Sequence, residues 1–281
     1  MEKALKKSAP IFVLPTLIAF IIGFIVPFGQ GLYLSFCKFT TVNNAEWVGL
    51  SNYKAALTDA SFGRSFVFTV LFAVVSILTI NIIAFGLAVL LTQKIKGTNI
   101  FRTVFFMPNL IGGIVLGYIW QILINCVLTL VEKPLLALNS SAGYWGLIIL
   151  MCWQQIGYMM IIYISGIQNI PGELIEAAKI DGANNRQILK NVTIPMVMPS
   201  ITICTFLTLT NGFKLFDQNL ALTDGAPSKM SEMLALNIYN TFYGRTGYEG
   251  VGQAKAVLFF ILVAAIAITQ NILTRTKEVQ Q

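Results

Sequence analysis

Two sets of polar residues stand out in this chain because nearly everything around them is apolar. The first set is Gln154, Gln155 and Tyr158, followed further on by Thr208, Asn211, Lys214 and Asp217. Amides, hydroxyls and a phenol can exchange hydrogen bonds with a neutral polyhydroxylated solute, and an aromatic face can cover the apolar face of a sugar ring. Gln154 and Tyr158 are spaced i, i+4 and share one side of a helix. The same residues also suit helix-to-helix hydrogen bonding, and Lys214 with Asp217 fits an i, i+3 ion pair; both readings stay open. The second set lies in the run from Pro171 to Pro195, which carries Glu173, Glu176, Ala177, Ala178, Asp181, Gly182 and Ala183. Small residues beside acids suit contact with another polypeptide.

Several chemistries are excluded. The chain has no histidine, so imidazole catalysis and histidine metal sites are absent. Cys37, Cys126, Cys152 and Cys204 are far apart, with Cys152 and Cys204 in strongly apolar surroundings, so they read as small apolar residues. No Gly-x4-Gly-Lys-Ser/Thr phosphate loop is present. The net charge of +7 comes from basic residues in short stretches between apolar runs, which argues against nucleic acid.

These residues must be positioned by membrane-spanning helices. The 281 residues are 56% apolar and 11% charged, with a mean hydropathy of +0.74, outside the range of a soluble domain. A bilayer core takes roughly 20 apolar residues in helical form, since no water is there to satisfy an open backbone. Six segments fit: about Ile11–Phe36, Phe66–Leu91, Phe105–Ile124, Gly146–Ile167, Met198–Leu222 and Ala254–Leu273. Lys3, Lys6 and Lys7 precede a run without a small-residue cleavage site, so the first segment reads as a retained span. Lys94, Lys96 and Arg102, in a loop without acids, place that loop and both termini in the cytosol. Lys179, Arg186, Lys190, Arg275 and Lys277 fall on the same side. Gly113 and Gly117 fit a close helix contact.

The run between the fourth and fifth spans reads as two short helices. Pro171 suits a first turn, Glu173 and Glu176 lie towards the positive end of a helix dipole, and Gly182 can take the positive φ of a helix stop. Ala183–Lys190 predicts the second helix, and Pro195 and Pro199 interrupt the chain as it re-enters the membrane.

The order Glu176-Ala177-Ala178, three residues, Gly182, then Val192, Ile194 and Pro195 resembles the "EAA" loop of binding-protein-dependent ABC importer permeases. Val192 and Ile194 depart conservatively from the usual pattern. Trp47-Val-Gly-Leu-Ser-Asn-Tyr53, Phe101-Arg-Thr-Val-Phe-Phe-Met-Pro108, Trp120 and Leu222-Thr-Asp-Gly225-Ala-Pro227 are similar to the carbohydrate-uptake branch, the maltose and glycerol-phosphate type. Ala226 stands where that branch more often has a second glycine.

What the resemblance implies is an all-α integral membrane protein with six transmembrane helices, the type I ABC importer permease fold and a cytosolic coupling helix. The whole chain, 1–281, would be one transmembrane domain, with a permease core at 66–273 and a coupling loop at 168–195. It would form a sugar path, for an oligosaccharide, with a second permease in a heterodimer. Two cytosolic ABC ATPase subunits and an extracytoplasmic binding protein complete the expected assembly, in the plasma membrane of a prokaryote. ATP and Mg would sit on the ATPases; this chain would hold no cofactor and no metal, and would not be an enzyme. Glu176, Ala177, Ala178, Asp181, Gly182, Ala183 and Pro195 would meet the ATPase. Gln154, Gln155, Tyr158, Thr208, Asn211 and Lys214 would line the path. A permease for another solute and an ion-coupled secondary transporter are the alternatives.

Overall fold

The computed structural model describes residues 13–93 and 96–275. Lys3, Lys6, Lys7, Lys94, Lys277 and the start of the predicted first span at Ile11 lie outside the described residues. The helices are α1 (Val13–Leu34), α2 (Ser51–Thr58), α3 (Ala60–Leu91), α4 (Thr98–Phe106), α5 (Gly113–Leu130), α6 (Ser140–Gln168), α7 (Gly172–Ile180), α8 (Asn185–Met196), α9 (Met198–Phe213), α10 (Asp217–Leu222), α11 (Leu234–Gly244) and α12 (Glu249–Arg275). Two short antiparallel strands, β1 (Cys37–Lys38) and β2 (Glu46–Trp47), pair Cys37 with Trp47. Among the described residues five helices are long and apolar enough to cross a bilayer, and α8 with α9, bent by 68°, makes a sixth when the pair is taken as one span.

The chain forms two compact units. Of the described residues, one holds those up to Ala60 together with Ile238–Phe260, and the other those of Ser61–Asn237 and from Ile261 on. In the first, Asn52 donates to the carbonyls of Ser35 (3.0 Å) and Cys37 (2.8 Å), and Gly250 lies against the same carbonyl and amide. Tyr53 and Ser35 share a hydroxyl contact of 2.6 Å. The Trp47–Tyr53 stretch therefore fastens the end of α1. Lys255 is fully buried there, with Nζ 2.7 Å from Asp59 and 2.8 Å from Thr241.

The second unit is organised around α6, whose apolar stretch is buried to a larger extent than those of the other four long helices. Leu147, Leu150, Met151, Met159, Met160 and Tyr163 are fully enclosed. On α3 the buried side recurs every four residues at Phe72, Ser76, Ile80, Ala84 and Ala88. Its small members let a neighbouring helix approach closely. Val67, Leu71, Val74, Leu78 and Ile82 face outward, as expected where the surroundings are hydrocarbon and not water.

Two predicted spans need correction. The third does not run unbroken over Phe105–Ile124: α4 ends at Phe106, a 3₁₀ turn covers Met107–Leu110, and α5 begins at Gly113. Pro108 and the extended Ile111 and Gly112 account for it, since Pro lacks the amide that would continue the ladder. The fifth, Met198–Leu222, stops at Phe213 and resumes as α10 at Asp217. Lys214 and Asp217 flank the break, both exposed, and no ion pair joins them among the described residues. The second, fourth and sixth spans begin earlier than predicted, at Ala60, Ser140 and Glu249. The second loop helix is longer than Ala183–Lys190: α8 starts after Asn184 and runs to Met196. Pro195 lies inside it, after a π turn at Leu189–Thr193 that absorbs the missing amide. The bend falls between Met196 and Met198, just before Pro199.

Candidate functional site: coupling hairpin and polar path

The hairpin of α7 and α8 is built by local rules. Glu173 stands in the first turn of α7 and Lys179 in its last, each complementing the helix dipole. The helix closes with Ala183 N donating to Ala178 O (2.9 Å) and Gly182 N to Lys179 O (3.0 Å), while Gly182 takes φ +79°. That is a Schellman closure, which places a left-handed residue just past the helix. Asn184 then caps α8: its Oδ1 accepts from the amides of Arg186 (3.1 Å) and Gln187 (3.0 Å), and Gln187 Oε1 accepts from Asn184 N (2.7 Å). The turn between the helices is thus fixed from both sides.

Ile170 and Ile188 are buried and Ile175 packs on the core, holding the hairpin to the body. Its other side is open. Glu176, Ala177, Asp181 and Gly182 are exposed, Ala178 and Ala183 half-buried. The Glu176 carboxylate makes no hydrogen bond or ion pair within the described residues. Ile180 is 86% exposed beside it. An aliphatic side chain left open next to an unpaired acid and alanines marks a surface for another protein. Ile180 was not among the expected contact residues. Its signal was an isoleucine in a stretch otherwise turning polar.

The polar residues of the spans sort into two groups. Gln154 is buried with both ends of its amide engaged: Nε2 donates to Ile111 O (3.2 Å) and Oε1 accepts from Gln218 (2.8 Å). Thr208 is buried too, donating to Cys204 O (2.8 Å) and accepting from Asn81 (3.3 Å), whose Oδ1 accepts from Tyr163 (2.7 Å). Gln155, Tyr158 and Asn211 are half-buried. Asn211 Nδ2 donates to Gln155 Oε1 at 3.3 Å, joining α9 to α6, and the Tyr158 ring stands 6.4 Å from Phe106. Lys214 is exposed at the end of α9. Gly113 and Gly117 face α10, where Asp217, Gln218 and Ala221 fill the space a side chain would take.

Sequence reasoning also passed over two buried charges. Besides Lys255, Glu232 is enclosed, accepting from Asn237 (2.7 Å) with Lys229 at 3.8 Å. Asp59 is 196 residues from Lys255 and Ser61, 3.4 Å from the Glu232 carboxylate, is 171 residues from it, so the local Lys229 and Asn237 contacts do not by themselves announce the burial.

Comparison with known proteins agrees with this geometry. The family model described as "binding-protein-dependent transport system inner membrane component" matches residues 96–278. The probable starch degradation products transport system permease protein AmyD of Thermoanaerobacterium thermosulfurigenes is 44% identical, over 96% of this chain and 94% of its own. The multiple sugar-binding transport system permease protein MsmF of Streptococcus mutans is 32% identical, over 95% of each. Among solved structures, a chain of a bacterial ABC transporter involved in the import of the acidic polysaccharide alginate superposes with a TM-score of 0.83 at 18% identity, over 98% of both chains, a likeness of fold. On the model match, the relatives and the exposed hairpin between two spans, the chain belongs to the family of inner membrane components of binding-protein-dependent transport systems.

Proposed function

We propose that this chain is one of two permeases, paired as a heterodimer, that import a neutral oligosaccharide with energy from ATP. The observation that carries the reading is the Asn211–Gln155 hydrogen bond, because it joins the two helices, α9 and α6, that the hairpin connects. A push on the hairpin reaches those amides across the short break at 169–171 and along α6 on one side, and through the bend before Met198 on the other. Gln155, Tyr158, Asn211 and Lys214 offer donors, acceptors and an aromatic face to a sugar. Relatives named for starch products and multiple sugars support that substrate class.

The transport core is 66–273, and the loop at 168–195 faces the cytosol, as do both termini, with Lys96 and Arg102 on the same side. There Glu176, Ala177, Ala178, Asp181, Gly182 and Ala183 meet one of two ABC ATPase subunits, with Ile180 as an apolar anchor. ATP and Mg are held by the ATPases, and an extracytoplasmic binding protein delivers the sugar. Pro195 lies on the arm of α8 that leads from the hairpin to the bend and completes the coupling set. Uptake of a panel of labelled mono- and oligosaccharides by cells with and without this chain tests the assignment. Loss of oligosaccharide uptake on deletion is expected; loss confined to amino acids or ions would overturn it.

A further inference from the structure

Two membrane-crossing paths in this chain are interrupted, and both interruptions meet one side chain. The first lies before α5, where Ile111 (φ −86°, ψ 131°) and Gly112 (φ −61°, ψ 140°) are extended. The Ile111 carbonyl therefore lacks the amide that a continuous helix would bring to it. In hydrocarbon no water replaces that amide. Gln154 Nε2 does so, at 3.2 Å. The second interruption lies before α10, and there Gln218, in the first turn of α10, donates to Gln154 Oε1 at 2.8 Å. Gln154 stands midway between Ser140 and Gln168, the ends of α6, and is 6% exposed.

Different helices attach to α6 on either side of this point. Towards Ser140, α5 and α10 are locked together. Gly113 and Gly117 lie against Asp217, Gln218 and Ala221, and Gln121 donates to Leu222 O at 3.1 Å. These α5 positions recur every four residues and form one face. Gly143 and Gly146 of α6 pack against Thr223 and Leu222 at the end of that pair. Towards Gln168, α4 crosses α6 where the Phe105 carbonyl lies over Gly157, and Cys204 of α9 lies 3.7 Å from Met159 O.

We propose that Gln154 is a positioning residue of the transport cycle, pinning both helix breaks to the middle of α6. Motion entering from the hairpin then turns α4 and α9 about this point, while α5 and α10 travel with the other half of α6. The inference rests on the proposed transport function, and it gives Gln154 no sugar contact.

The test uses the complete reconstituted importer and compares Gln154→Leu and Gln154→Glu with the wild type. Leucine has a similar size but neither donates nor accepts. Losing two hydrogen bonds at the pin should lower the maximal uptake rate about ten-fold or more while leaving KM unchanged. A protonated glutamate can donate to Ile111 O and accept from Gln218, whereas the ionised form cannot donate. The rate of Gln154→Glu relative to wild type should therefore rise as pH falls. Wild-type kinetics for Gln154→Leu would overturn the pin, as would a raised KM with an unchanged maximal rate, which would put Gln154 against the sugar. If Gln154→Leu does not assemble, the glutamate variant decides: acid-dependent recovery supports the pin and a pH-independent ratio overturns it. Absence of uptake by the wild-type complex would instead sink the transport reading, a result that no Gln154 variant can produce.

Discussion

Replacing Gly182 separates backbone conformation from crowding more cleanly than any other change in the hairpin. Gly182 has φ +79°, and no heavy atom lies within 4 Å of the place a Cβ would take. Within this chain a Cβ there meets no neighbour, so the effect on the hairpin itself is the cost of the left-handed backbone. That cost is roughly 1–2 kcal/mol for an ordinary residue, higher for a β-branched one and lower for asparagine. The Schellman closure that sets the start of α8 would be populated about 5- to 30-fold less. The expected order of activity is Gly182, then Gly182→Asn, Gly182→Ala and Gly182→Val, following left-handed propensity and not size. The assay is sugar moved per ATP hydrolysed in proteoliposomes, with membrane insertion checked in parallel. Insertion should be normal throughout, and the transport ratio should fall along the series. Equal ratios for the asparagine and valine variants, or a wild-type ratio for Gly182→Val, would refute the reasoning.

Glu176→Lys reverses an exposed charge on the open side of the hairpin, so less ATPase should co-purify with the permeases; full recovery with full activity would make Glu176 a solvated charge. Tyr158→Ala and Asn211→Ala should each raise the KM for sugar about five-fold, roughly 1 kcal/mol per lost contact, with normal assembly on size-exclusion chromatography. Lys255→Met leaves Asp59 without its 2.7 Å partner and should destabilise by about 3 kcal/mol, seen as a lower melting temperature in detergent. The double change Lys255→Met with Asp59→Asn should recover part of that loss.

The hairpin was legible in the sequence because its signals are local. Pro171, Glu173 and Gly182 each act within a few residues, and the positive φ at Gly182 is the one expected of a helix stop; the Asn184 cap is equally local and emerges only from the structure. The spans were legible as apolar runs, but their breaks were not. Both sides of Gly112 read as one apolar stretch, the polar run Lys214–Asn219 about Phe216 does not by itself mark a break, and what bonds to both broken ends is Gln154, on a different helix. Gln154 was read with Tyr158 as a pair on one face; the structure buries the first and leaves the second half-exposed. The Trp47–Tyr53 stretch was visible as a pattern, yet the role of Asn52 depends on carbonyls at Ser35 and Cys37 that only the fold brings near.

The account turns on coupling between ATP hydrolysis and sugar movement, so the decisive measurement is uptake of a labelled maltooligosaccharide by proteoliposomes. These would contain this chain, its partner permease, the ATPases and the loaded binding protein. Uptake should require ATP on the ATPase side, stop when the ATPase phosphate-loop lysine is replaced, and be unaffected by a protonophore. Uptake that persists with a dead ATPase, or that collapses with the proton gradient while ATP is present, would contradict it.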